Sequence, residues 1–196
     1  MAAKDAEDIT VFFQKDGSDQ WKSVETLCLT DEQVTKGAIV AVEQFFSQAK
    51  PEDVAVLFIA GHGLLDDSYD YYFATSEIDF ENPGPTGGLK FDEIESVFYR
   101  CAALRKLGLI DTCHAGELIG GTSEEILALL KKNGVRAKEL PNLPKKSGLA
   151  EISFEERRIV SEFFADLRRG SGATIIAASA GAEFSNEDKD LGNGIF

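Results

Sequence analysis

Residues 54–63 read VAVLFIAGHG: an apolar run without a break from Val54 to Ala60, followed at once by Gly61, His62 and Gly63. A strand buried on both faces of a parallel sheet carries such a run, whereas a half-exposed strand alternates. Residues 104–116, LRKLGLIDTCHAG, repeat the arrangement: a second apolar strand over 104–111, then Thr112, Cys113 and His114. ATIIAAS (173–179) is a third expected buried strand.

Outward from these runs, helical periodicity fills the gaps. Ala2, Ala3, Ala6, Ile9, Phe12 and Phe13 line one face of a helix over 2–14. SVETLCL (23–29) alternates as a strand. Thr30 and Gln33 form a capping-box pattern that starts a helix through about Gln48, with Ile39, Val42, Phe45 and Phe46 inward. Tyr71–Ala74 is a short accessory strand, and the loop ENPGPTGG (81–88) leads into a helix over Asp92–Arg100. Further helices are expected at 123–133 and 154–169, joined by a Pro/Gly/Lys-rich flexible linker at 134–150. Strands alternating with helices predict an α/β fold with a doubly wound, mostly parallel sheet flanked by helices. The 196 residues make one domain of that kind.

Composition narrows the function. Lys and Arg number 20 against 34 Asp and Glu, a net charge of −14, which argues against nucleic acid as a partner. No apolar run reaches the roughly 18–20 residues of a membrane helix, and MAAKDAEDIT lacks the core of a signal peptide, so a cytoplasmic location is expected. The three cysteines, Cys28, Cys101 and Cys113, are odd in number and far apart, which fits neither a disulfide framework nor a zinc site. Cys28 and Cys101 sit among apolar neighbours and read as buried core thiols.

His62 and Cys113 are different. In open α/β sheets ligands bind beyond the carboxyl ends of the strands, and two neighbouring strands would deliver these residues to the same edge. A cysteine is nucleophilic as the thiolate, which a neighbouring imidazole generates or holds. The oxyanion formed on a peptide carbonyl needs preorganised N–H donors, and the amides of Gly63 and Cys113 are the natural pair. A lone cysteine after a strand is ordinarily a small buried hydrophobe, and a lone loop histidine ordinarily nothing. Here each follows a buried strand; His62 lies between Gly61 and Gly63, and Gly116 follows shortly after Cys113. A cysteine phosphatase loop needs C-x5-R, and the sixth residue after Cys113 is Ile119. With two histidines and no HExxH, a metal hydrolase does not fit, and no metal site is expected.

AGHG (60–63) followed about 50 residues later by DTCHAG (111–116) resembles the caspase-like cysteine peptidases, in particular metacaspases and their prokaryotic homologues. The resemblance runs from residue 1 to the final GNGIF. It implies a large-subunit-like part (1–133) holding both residues, the linker, and a small-subunit-like part (151–196). It also implies a central strand before the first helix and a helix after the last strand, which a longer chain or a regulatory partner is expected to supply. His114 is read as structural. An inactive caspase-like binding module is the alternative, although such members lose the Cys or His that this chain keeps.

Caspases place Gln two residues before the nucleophile and Arg in a later loop to hold a substrate aspartate. Here the matching positions are Asp111 and, counting back from GNGIF, Glu187 with Asp188 beside it. The resemblance therefore implies a peptide or protein substrate with Arg or Lys at P1, the residue before the cut. It also implies self-processing in the linker, at Arg136, Lys138, Lys145 or Lys146. Calcium activation is common among metacaspases, and Asp66, Asp67, Asp70, Glu187 and Asp188 are acidic clusters; with no EF-hand spacing they read first as solvated surface. No other cofactor is expected.

Overall fold

The structure, a computed structural model, describes residues 2–16, 20–65, 70–79, 87–114, 171–177, 186–188 and 193–195. Helix α1 spans Ala2–Val11 and ends in a π-helical turn, Phe12–Asp16. Helix α2 spans Ala38–Phe46, strand β1 Val54–Leu65, β2 Tyr71–Phe73 and β3 Leu89–Lys90. Helix α3 (Phe91–Arg100) precedes β4 (Arg105–His114), β5 (Thr174–Ala177), β6 (Asn186–Asp188) and β7 (Asn193–Ile195). The expected helices at 123–133 and 154–169 and the linker lie outside the described residues.

The main sheet has the order β3-β2-β1-β4-β5, and β6 and β7 form a separate antiparallel pair. The long strands β1, β4 and β5 are parallel, while β2 joins β1 and β3 antiparallel. The expected parallel α/β sheet is thus present, with an antiparallel margin. Both apolar strands run past their predicted ends. Gly63, Leu64 and Leu65 continue β1 because they pair with Phe73, Tyr72 and Tyr71. The Ala74 amide extends this pairing by donating to the His62 carbonyl at 2.8 Å. Position 62 therefore belongs to the strand itself and not to a loop after it.

The main core lies on one side of the sheet, and a smaller cluster of Leu64 and Tyr72 with Ala74 and Ile78 lies on the other. Ile94, Val97 and Phe98, at three-and-four spacing on α3, pack with Phe46 of α2 over Ala55 and Ile110. Rings of Phe46 and Phe98 meet edge to face, 6.1 Å apart at 86°. Ile39, Val42 and Phe45 pack against this cluster, as the periodicity of α2 predicts. Burying each large apolar side chain contributes roughly 1.5–3 kcal/mol. Gly108 of β4 lets the layers approach: a Cβ there would stand 2.6 Å from Ile175 Cδ1 and 3.3 Å from Phe98 Cζ.

Several expectations need correction. SVETLCL forms no ladder among the described residues, and alternation alone does not make a strand. Cys28 within it is only half-buried, whereas Cys101 is buried. The helix expected from Thr30 is interrupted. Asp31 takes a left-handed backbone (φ 49°), so Asp31–Gln33 close as a single 3-10 turn, with the Thr30 amide donating to Gln33 Oε1 at 3.2 Å. Phe12 is exposed, and α1 reaches β1 through half-buried side chains. β5 is covered on one face only: Ile175 and Ala177 pack on the core while Ile176 is exposed. No helix among the described residues is long and apolar enough to cross a membrane.

Candidate active site

β1 and β4 bring the two chemistry-bearing segments together. Their parallel register pairs Ala60 with Asp111, Gly61 with Thr112, His62 with Cys113 and Gly63 with His114. Neighbouring strands lie about 4.8 Å apart, so positions 62 and 113 are adjacent across the ladder. Partnered positions share a sheet face, and alternate positions along a strand do too. Positions 62, 113 and 111 thus belong to one face; 61, 63, 112 and 114 belong to the other, where α2 and α3 pack. The expected separation of His114 from the face of Cys113 follows from this alternation.

His62 is half-buried. Asp111 is buried at 8% exposure, with Oδ1 sealed from solvent. Burying a carboxyl group is costly unless it is paired, hydrogen-bonded or protonated. Glu187 and Asp188 lie on β6, opposite Gly194 and Asn193 of β7. They are therefore strand residues, and no ladder joins them to β1 or β4 among the described residues. Asp70 is committed elsewhere, 2.9 Å from the Lys90 ammonium. That hydrogen bond, against the opposing effect of burial, holds the Lys90 pKa above its usual value, with the charges of Asp70 and Asp92 adding to it. Among the described residues no cluster of His, Cys, Asp or Glu could hold a metal ion.

Two residues of the site escape the sequence reading. Behind the ladder, the Tyr71 hydroxyl lies 3.1 Å from Thr112 Oγ1, and both side chains are buried. The phenol occupies the space beneath Gly63: a Cβ there would overlap the Tyr71 hydroxyl and lie 2.5 Å from its Cζ. Glycine at 63 is thus required by packing, apart from any use of its amide. The sequence offers the signal of a Tyr-Tyr-Phe strand close after the His-Gly pair, but not the register that puts Tyr71 under Gly63. A depression of about 220 Å³ between α2 and α3, lined by Phe46, Val97 and Cys101, opens at the other end of the sheet, beside the segments that lead into β1 and β4.

A model of the caspase domain matches residues 1–188. The chain belongs to the caspase-domain family. The match takes in β1, β4 and β6, and with them His62, Asp111, Cys113, Glu187 and Asp188. No curated protein matches the chain. The caspase domain accounts for the α/β sheet and brings a cysteine-peptidase type of function, with proteins as the substrate class.

Gly63→Ala should cost this caspase domain about 1–3 kcal/mol through overpacking against Tyr71. Thermal melting followed by circular dichroism measures it; an unchanged midpoint would show that the phenol does not fill that space.

Proposed function

We propose that the chain is a cysteine endopeptidase in which Cys113 is the nucleophile and His62 its base. The pairing of positions 62 and 113 on adjacent parallel strands carries this reading. The thiolate sulfur attacks the scissile carbonyl carbon, and the electron pair moves to the carbonyl oxygen, facing the amides of Gly63 and Cys113. The C–N bond then breaks as His62 passes the thiol proton to the leaving amine. Water, deprotonated by His62, hydrolyses the thioester and returns the free thiol.

Asp111 gives the substrate preference. It lies two residues before Cys113 on the same face and is buried, so an aspartate at P1 would meet like-charge repulsion of several kcal/mol. Arginine or lysine would find a charge-assisted partner, and arginine's planar fork matches a carboxylate better. Glu187 and Asp188 are assigned to the same basic-P1 pocket on sequence matching alone. Calcium is assigned no ligand set, since Asp70 is paired with Lys90; activity in excess chelator is expected unchanged.

Cys113→Ala and His62→Ala should each lower kcat/KM for peptide hydrolysis at least about a hundredfold, and the double variant should lose little more. A Cys113→Ala rate above about a hundredth of wild type removes the assignment. The same variant reports on the linker. Intact mass should show a cut after Arg136, Lys138, Lys145 or Lys146 in the wild type and none in Cys113→Ala. On matched substrates the order of kcat/KM should be Arg, then Lys, far above Ala and Asp at P1, with Asp111→Ala removing the preference for Arg. A preference for Asp, or an Arg preference that survives Asp111→Ala, overturns the pocket while leaving the dyad standing.

A further inference from the structure

We propose that Tyr71 is a positioning residue for the Cys113–His62 chemistry, acting through Thr112 from the packed face of the sheet; the inference rests on the peptidase reading above. Tyr71 opens β2, opposite Leu65 in the register. From there its ring lies across β1 at Gly63, and its hydroxyl reaches β4 at Thr112, 3.1 Å from Oγ1. Thr112 is the residue between Asp111 and Cys113, and its register partner is Gly61, which precedes His62. One side-chain bond therefore crosses three strands and ends between two residues of the proposed site.

The anchor is rigid. The Tyr71 ring meets Phe73 edge to face at 5.3 Å and Phe91, the first residue of α3, at 6.3 Å. Tyr71 is 1% and Thr112 3% exposed, so water does not compete for the bond. The position along the strand matters as well. Cys113 is the last residue but one of β4, and ladders open most easily at their ends. The backbone bonds that hold position 113 beside position 62 thus lie next to an end of the ladder. Tyr71 ties β4 down two residues inboard of that end, next to Cys113, from the face the substrate does not use. A displacement of about 1 Å between reacting groups can cost about a hundredfold in rate, so a tie of this kind bears on kcat.

The competing role is purely structural: two buried hydroxyls satisfying each other. Steady-state kinetics on the full chain, with a fluorogenic peptide amide carrying Arg at P1, separates the two. The variants are Tyr71→Phe, Thr112→Val, the double variant and Thr112→Ser, each assayed well below its melting temperature. The positioning role predicts that Tyr71→Phe and Thr112→Val each lower kcat about tenfold while KM stays within about twofold. The double variant should be no slower than the slower single, because both delete one bond. Thr112→Ser keeps the hydroxyl and should retain at least about half of kcat. Wild-type kcat in both single variants with only a lowered melting point overturns the proposal, and so do losses that multiply. If Tyr71→Phe does not fold, the contrast between Thr112→Val and Thr112→Ser decides. Absence of any turnover that Cys113→Ala abolishes removes the peptidase reading and this role with it; Cys113-dependent turnover untouched in Tyr71→Phe and Thr112→Val removes this role alone.

Discussion

In the parallel ladder between β1 and β4, Val54 stands opposite Arg105 and Gly63 opposite His114, so two apolar runs far apart in sequence share one register throughout. That register is fixed by packing as much as by backbone bonding. Leu57 faces Gly108 and Ile59 faces Ile110, on the side where α3 presses Val97 and Phe98 into the sheet. Gly108 fits because Phe98 and Ile175 fill its space. A slip of one residue would break this layer and move every side chain of β4 to the opposite face. It would also take position 113 away from position 62. The hydrophobic core and the proposed catalytic pair therefore depend on the same alignment.

The two faces of the ladder divide the work. One face is filled by α2, α3 and the aromatic set of Tyr71, Phe73 and Phe91. The other holds positions 62, 111 and 113. Strand alternation makes the division possible within a few residues: Thr112 belongs to the packed side, while its neighbours Asp111 and Cys113 belong to the opposite side, with position 62. Glycines at 63 and 108 are where the packed side comes closest to the backbone.

Much of this is legible in the residues themselves. Val54–Ala60 and Leu107–Ile110 declare buried strands by composition, and Ile39, Val42, Phe45 and Phe46 declare a helix face by spacing. The side-by-side placement of His62 and Cys113 is readable because each follows an apolar run, and neighbouring parallel strands end at one edge. Other features are set by tertiary partners that no local pattern encodes. Val24, Thr26 and Cys28 alternate like a strand, yet a strand exists only with a ladder neighbour. Nothing in the order of residues says that Asp31 will take a left-handed turn and divide a helix. The burial of Ile175 and exposure of Ile176 depend on what covers each face of β5. Tyr71 is the clearest case, since its link to Thr112 needs the register of three strands at once.

The central claim is that Cys113, paired with His62, is the reactive thiol among the three cysteines. The most direct measurement is peptide mapping by mass spectrometry after the native protein reacts with a peptidyl acyloxymethyl ketone bearing Arg at P1. A single adduct on Cys113 is expected, formed at least about tenfold more slowly in His62→Ala, with half-buried Cys28 and buried Cys101 unmodified. An adduct on Cys28 or Cys101 in place of Cys113, or labelling of Cys113 at an unchanged rate without His62, would contradict it.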